Sequence, residues 1–227
     1  MSKDAELFRR GRTEIAPGAV HLPDWLDAAR QRQLLEACRG WARPPAGLRT
    51  VRTPGGGTMT ARQVCLGWHW YPYGYARTVT DGDGSPVKAF PDRLGRLARE
   101  AVTDALGADA LDPDPAAAYD IALINFYDAE ARMGMHRDSD ESCGAPVVSL
   151  SLGDTCVFRF GNTESRTRPY TDVELRSGDL FVFGGPSRLA YHGVPKVYAG
   201  TAPPELGLTG RLNLTLRAGG FPPEPAR

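Results

Sequence analysis

A histidine and an aspartate one residue apart, in the segment MGMHRDSDE, are the first residues whose types and spacing suggest chemistry. On a strand, positions i and i+2 point to the same face. The imidazole of His136 and the carboxylate of Asp138 would therefore aim at one point, as neighbouring metal ligands must. The chain has only four histidines. His192, in AYHGV, is the best third ligand because it falls late in a strand-rich region, where a neighbouring strand can bring it alongside. His21 lies near a first helix and His69 in an aromatic loop region. Two histidines and one carboxylate make the facial triad of non-haem Fe(II) oxygenases, which leaves coordination positions open. Zinc accepts the same ligand types, so on these three residues alone a zinc hydrolase remains open.

A second group of residues suits a small dianion. In RLNLTLR, Leu212, Leu214 and Leu216 fall on one strand face and Arg211, Asn213, Thr215 and Arg217 on the other. At about 3.3 Å per residue the two arginine Cα atoms sit roughly 20 Å apart, a gap that two long side chains can shorten to the length of a dicarboxylate. Guanidinium groups pair with carboxylates in bidentate fashion. In IALINFYD, Asn125 and Tyr127 share a face, and their amide and phenol suit the remaining carboxylate oxygens. A solvated edge strand and a self-satisfied Asn–Tyr pair are the competing structural explanations.

These residues need elements to hold them. Asp24 is a candidate N-cap for a helix carrying Trp25, Leu26, Ala29, Leu34, Leu35 and Cys38, which Pro44-Pro45 would end. From there to Ser85-Pro86 the chain is rich in Gly, Thr, Arg and aromatics and reads as short strands and loops rather than core. Pro91–Leu106 reads as a second helix. After Asp112-Pro-Asp-Pro the period becomes two. Candidate strands there are Tyr119–Tyr127, Pro146–Leu152, Thr155–Phe160, Asp172–Leu175, Leu180–Phe183 and Arg211–Leu216. Many short strands with Gly-rich turns suggest a sandwich, jelly roll or barrel, with the two helices packed on one sheet.

At 227 residues the chain fits one domain with an elaborated edge. Acidic and basic residues number 27 each, so net charge points to no acidic partner, although a neutral total can hide a basic groove. Cys38, Cys65, Cys143 and Cys156 form no CxxC pair and read as reduced thiols. Neither a signal peptide nor a stretch near the roughly 20 apolar residues of a membrane span is visible. The expectation is a soluble, cytoplasmic protein with no membrane partner, working as a monomer.

In order and spacing, N-x-Y, H-x-D, a distant H and then R-x-N-x-T-x-R resembles the AlkB family of Fe(II)- and 2-oxoglutarate-dependent dioxygenases. PGGGTM, LGW, APVVSLSLG, FRFG, SGDLFVFGG and SRLAYHG also resemble segments of its bacterial members, so that the likeness covers roughly residues 15–220. The resemblance implies a mainly β, α+β fold: a double-stranded β-helix (jelly-roll) core with flanking helices and an N-terminal nucleotide-recognition lid. The corresponding divisions are 1–17 as a mobile N-terminus, 18–90 as first helix and lid, 91–220 as core with packing helix, and 221–227 as tail. His136, Asp138 and His192 would bind Fe(II). Asn125, Tyr127, Arg211, Asn213 and Arg217 would bind 2-oxoglutarate, one arginine to each end.

The implied reaction consumes dioxygen and removes N-methyl groups from bases, releasing formaldehyde, succinate and carbon dioxide. The partner would be single-stranded or flipped-base alkylated DNA, with RNA as a second candidate. Trp68 would stack on the flipped base opposite His136, and Tyr75 would contact a flanking phosphate. Asp140 would face a cationic base such as 1-methyladenine or 3-methylcytosine, with Met59 and Arg166 among the substrate contacts. Arg49, Arg52, Arg62 and Arg77 are candidates for phosphate contacts. Two departures from the family stand out: Arg77 replaces an aromatic residue, and the loop Asn162–Arg168 is altered, so that Arg166 or Arg168 would serve there. An oxygenase acting on a protein or small molecule, or a non-catalytic jelly-roll module, are the alternatives.

Overall fold

Alternation along the strands sorts the chain into three layers. The structure, a computed structural model, describes residues 10–53, 55–111 and 118–221. Its strands are β1 (Thr13–Ala16), β2 (Ala19–Leu22), β3 (Arg49–Arg52), β4 (Thr58–Leu66), β5 (His69–Tyr71), β6 (Gly74–Ala76), β7 (Ile121–Tyr127), β8 (Met133–His136), β9 (Val147–Gly153), β10 (Thr155–Phe160), β11 (Thr171–Leu175), β12 (Leu180–Phe183), β13 (His192–Tyr198) and β14 (Arg211–Arg217). Helix α1 is Ala28–Trp41 and α2 is Asp92–Leu106. The large sheet has the order β1-β2-β12-β9-β14-β7-β4-β3, the small sheet β11-β10-β13-β8, and β5-β6 is a separate hairpin.

On the outer face of the large sheet, Leu212, Leu214 and Leu216 join Ile124, Val148, Leu150 and Val182 in one core with Leu34 and Leu35 of α1 and Leu94, Ala98 and Val102 of α2. On its inner face Tyr127, Val147, Phe181 and Phe183 meet Phe158, Phe160, Val173, Leu175, Val194 and Val197 of the small sheet. Because side chains alternate, the same strands that feed leucines to the helices turn Arg211, Asn213, Thr215 and Arg217 inward, between the sheets. A one-residue slip in register would exchange the two sets. Two facing antiparallel sheets with helices on one side are the jelly-roll architecture expected from the sequence.

Several boundaries differ from expectation. The helix cap is Asp27, whose side chain accepts from the Arg30 N–H at 2.8 Å. Asp24 instead takes a left-handed φ of 55° and donates its backbone N–H to Asp179. Residues 13–16, read as mobile, form β1, which pairs with β2 and through it extends the large sheet. The stretch read as lid and loop contains β4, a core strand paired with β7, in which Ala61, Val64, Cys65 and Leu66 are buried. Residues 1–9 of the expected mobile segment, the Asp112-Pro-Asp-Pro turn and tail residues 222–227 lie outside the described residues.

Gly67, between β4 and the lid hairpin, has φ 78°, and a Cβ there would fall 1.8 Å from the Asp120 carbonyl oxygen, so only glycine fits the LGW turn. At the hairpin tip Tyr73 has φ 72°, a conformation that costs a residue with a Cβ about 1–2 kcal/mol. Among the described residues no helix is long and apolar enough to cross a membrane.

Candidate functional site

His192 opens β13 directly opposite His136, the last residue of β8, and the register of these two strands brings the imidazoles together, with ring centroids 4.5 Å apart. Asp138 lies just past the end of β8, not on the strand as its spacing suggested. Its loop is held by buried Arg188, which donates to the carbonyl oxygens of Asp138 at 2.7 Å and Ala145 at 2.8 Å. Ligand atoms of His136, Asp138 and His192 all lie within 4.8 Å of one another.

The donor chemistry fits a cation. The carbonyl oxygens of Gly134 and Ala190 lie 2.9 and 3.0 Å from Nδ1 of His136 and His192, and a carbonyl can only accept. Each Nδ1 therefore carries a proton, and the atom turned toward Asp138, 3.7 Å from one of its carboxylate oxygens, is Nε2. Asp138 Oδ2 is buried without a well-directed hydrogen bond, although Arg217 Nη2 lies 2.7 Å away. Burial works to raise the Asp138 carboxyl, but Arg217 and the two histidines outweigh it and hold it at about 2. Burial against Phe158 and Phe183 brings His192 down to about 4, with Asp138 opposing. A neutral His192 imidazole and an ionised Asp138 are forms that a divalent metal needs.

Behind this cluster lies an enclosed cavity between the sheets, lined by Asn125, Tyr127, Arg211, Asn213, Thr215 and Arg217 among others. Registers explain the assembly: Arg211 sits opposite Tyr127, and Asn213 opposite Asn125, on adjacent strands β14 and β7. Arg211 is 1% exposed, with Nη2 donating to Ser151 at 2.9 Å and Nε unpartnered. Asn213 donates to Ser149 at 2.7 Å and Gln63 to Asn125 at 3.1 Å. Burial pushes the Tyr127 phenol up, with Arg211 opposing, so it stays protonated. Two buried guanidinium groups in one polar chamber, one beside Asp138 and one remote, suit an elongated dianion.

The triad also borders an open cleft of about 530 Å³, lined by Met59, Gln63, Trp70, Tyr73, His136, Asp140, Arg166 and Tyr191 among others. Met59, Asp140 and Arg166, expected as substrate contacts, thus line this cleft; Trp68 does not. Its indole donates to Asp120 at 2.9 Å and packs edge-on against Phe221 at 4.7 Å, with the Arg77 guanidinium 3.5 Å over its ring. It is a prop beneath the lid because Gly67 turns the chain before β5 begins. Trp70, two residues on, lines the cleft and donates to Asp140 at 2.8 Å. Tyr75 is likewise turned inward. Its hydroxyl donates to Glu141, which also accepts from Arg217 at 2.8 Å and Arg188 at 3.0 Å, so it is not placed for a surface phosphate. Burial raises the Tyr75 phenol and, although burial alone would also raise Glu141, Arg217 keeps that carboxyl below its usual range.

Arg49 is not a surface cation either. Its Nε donates to Asp81 at 2.7 Å and its Nη2 to the Trp70 carbonyl at 2.6 Å, which fixes the lid strand. Arg77 covers Trp68, Arg62 lies 5.0 Å over Phe126, and Arg52 is exposed on β3. Arg168 sits over Tyr170 at 5.4 Å, outside the cleft lining, whereas Arg166 reaches it. His21 and His69 pair with Asp179 and Asp81, away from the triad. Sequence reasoning missed Gln63, Trp70, Glu141, Ser149 and Ser151. Of these, Trp70 carried a legible signal, an aromatic two residues from Trp68.

Comparison with known proteins agrees with this geometry. The family profile described as the 2OG-Fe(II) oxygenase superfamily matches residues 18–217. The Escherichia coli protein named alpha-ketoglutarate-dependent dioxygenase AlkB is 38% identical over 222 residues, covering 96% of each chain. An Arabidopsis thaliana protein named DNA N(6)-methyladenine demethylase ALKBH1D is 34% identical over 89% of this chain, which spans about half (50%) of that relative's length. The solved structure of OsALKBH1 superposes with a TM-score of 0.78 at 32% identity, covering 90% of this chain and 100% of the other.

Proposed function

Because this chain belongs to the 2OG-Fe(II) oxygenase superfamily, and is thus an oxidoreductase of the dioxygenase type, we propose that it removes N-methyl groups from alkylated nucleobases in DNA or RNA. The observation that carries this reading is that one triad borders two spaces. Asn125, Met133, His136, Asp138 and Arg217 line both the inter-sheet chamber and the open cleft, so a dianion held in the first and a base held in the second meet the same metal position. When bound, iron and 2-oxoglutarate supply oxidation of the methyl carbon by dioxygen, with succinate, carbon dioxide and formaldehyde as products.

The protein orients and encloses. His136, Asp138 and His192 hold the metal. Arg217, at Asp138, takes the cosubstrate end beside the metal, and Arg211, at Tyr127 and Ser151, takes the far carboxylate; Asn125, Tyr127 and Asn213 complete the chamber. Trp70, which lines the cleft together with His136, is the indole on which a flipped base would stack. Asp140, fixed by the Trp70 N–H, favours a cationic base such as 1-methyladenine or 3-methylcytosine. Four free cysteines fit a reducing cellular compartment.

The test is formaldehyde release from DNA and RNA oligonucleotides carrying 1-methyladenine, 3-methylcytosine or N6-methyladenine, with Fe(II) and 2-oxoglutarate present or withheld. The expected result is release that requires both and is greatest for the cationic bases. Turnover confined to an unrelated protein or small molecule would reject the reading.

A further inference from the structure

Apart from Leu189, Tyr73 is the only large apolar side chain standing in solvent among the described residues, and it is 83% exposed. It occupies the tip of the β5–β6 hairpin, where Tyr71 pairs with Gly74 and leaves Pro72-Tyr73 as the two-residue turn. Proline first and a φ of 72° second are the marks of a type II turn, whose second place is ordinarily glycine. Two-residue hairpins favour the mirror-image turns instead. A bulky ring therefore sits where local energetics reserve the place for glycine, and its exposure means that packing inside the protein repays little of that strain. Beside it, a Cβ on Gly74 would fall 2.8 Å from the Tyr71 hydroxyl oxygen, so the end of the Tyr71 side chain lies close to the tip. Strain of this kind concentrates at functional sites.

The location supplies the function. Tyr73 lines the mouth of the cleft that holds Trp70 and His136. Arg137 and Arg166, also in that lining, hold their guanidinium groups 5.3 and 5.9 Å over the ring of Tyr191. Cations suited to phosphates thus share the rim with an outward aromatic suited to a base. We infer that Tyr73 stacks on a base flanking the target nucleotide, so that the ligand recognised is a short single strand and not an isolated base. This rests on the demethylase reading and extends it. Every base has a π face, so such a contact gives affinity with little sequence preference.

The experiment compares a 1-methyladenine mononucleotide with a single-stranded pentamer carrying the same base at its centre. Tyr73→Ala should raise KM for the pentamer about tenfold with kcat kept, and leave the mononucleotide unchanged. Tyr73→Gly, which relieves the turn, should match Tyr73→Ala, and Tyr73→Phe should match the native protein, since the ring face and not the hydroxyl is used. A 2-aminopurine beside the methylated base should be quenched on binding to the Mn(II)- and 2-oxoglutarate-loaded native protein and stay bright with Tyr73→Ala. Equal KM values for native and Tyr73→Ala on the pentamer, or an equal loss on both substrates, would overturn the inference. If the native protein turns over neither substrate, the demethylase reading fails, and the fluorescence, which needs no turnover, still decides the stack.

Discussion

At Asp138, burial and charge pull in opposite directions, and charge wins. A fully buried carboxylate is costly unless paired, and here Arg217, His192 and His136 compensate, which leaves an anion ready for a metal. At His192 burial wins instead, against the pull of Asp138, and makes it a neutral ligand at physiological pH. Substrate recognition turns on which tryptophan faces the cleft. A stacked base is worth about 1–3 kcal/mol by alanine substitution. Trp70→Ala should therefore raise KM for a methylated strand by about tenfold or more, while 2-oxoglutarate decay without substrate continues. Trp68→Ala should act instead through the lid's packing, seen as a lower unfolding temperature. A variant at Trp68 that loses strand affinity with unchanged stability, beside a silent Trp70→Ala, would reverse the assignment. The residue types of the triad and of the two-arginine strand were legible because strand alternation converts spacing into direction. The choice of tryptophan was not, since it depends on Gly67, whose left-handed turn decides where the lid strand begins.

Between elements, the buried carboxylate of Asp179 does the joining. It accepts from Arg10 at 2.7 Å, His21 of β2 at 2.9 Å, and the N–H groups of Asp24 and Arg176 at 3.0 Å. The N-terminal strands and the approach to α1 are thereby tied to β12. Burial pushes this carboxyl up, but the hydrogen bonds from His21 and Arg10 win and hold it below its ordinary value. Asp179→Asn should cost about 3 kcal/mol at pH 7 by chemical denaturation. A folded-state pKa below the unfolded one contributes stability that is full above about pH 4 and is lost as pH falls through the folded value. The gap between native and variant should therefore narrow in acid; a gap that widens would contradict the assignment. The strands from Val147 to Phe183 were legible from period-two patterning bounded by Gly-Asp turns. Others hid behind their exceptions. β4 carries Gln63 inward for the site, β8 contains Gly134, and β13 contains Pro195, which the sheet tolerates at a break in register between β10 and β13. β1 and β2 are short; β2 exists through its pairing with β12, and β1 through its pairing with β2.

Over the whole molecule, the site is a product of facing sheets. The small sheet brings His136 and His192 by register, the large sheet brings Asn125, Tyr127, Arg211 and Arg217, and the hairpin roofs the cleft. No single segment contains the function, which is why a balanced overall charge said little about the partner, while the order of motifs along the chain said more. The central claim is that one metal and one dianion meet inside this sandwich. The most direct measurement is an anaerobic titration of the protein with Fe(II) and then 2-oxoglutarate, followed in visible absorption. A metal-to-ligand charge-transfer band should grow to one equivalent of each, vanish in Asp138→Ala, and require several-fold more 2-oxoglutarate in Arg217→Lys, since a point charge cannot reproduce the guanidinium fork. No band with the native protein, or a band indifferent to both substitutions, would contradict the account.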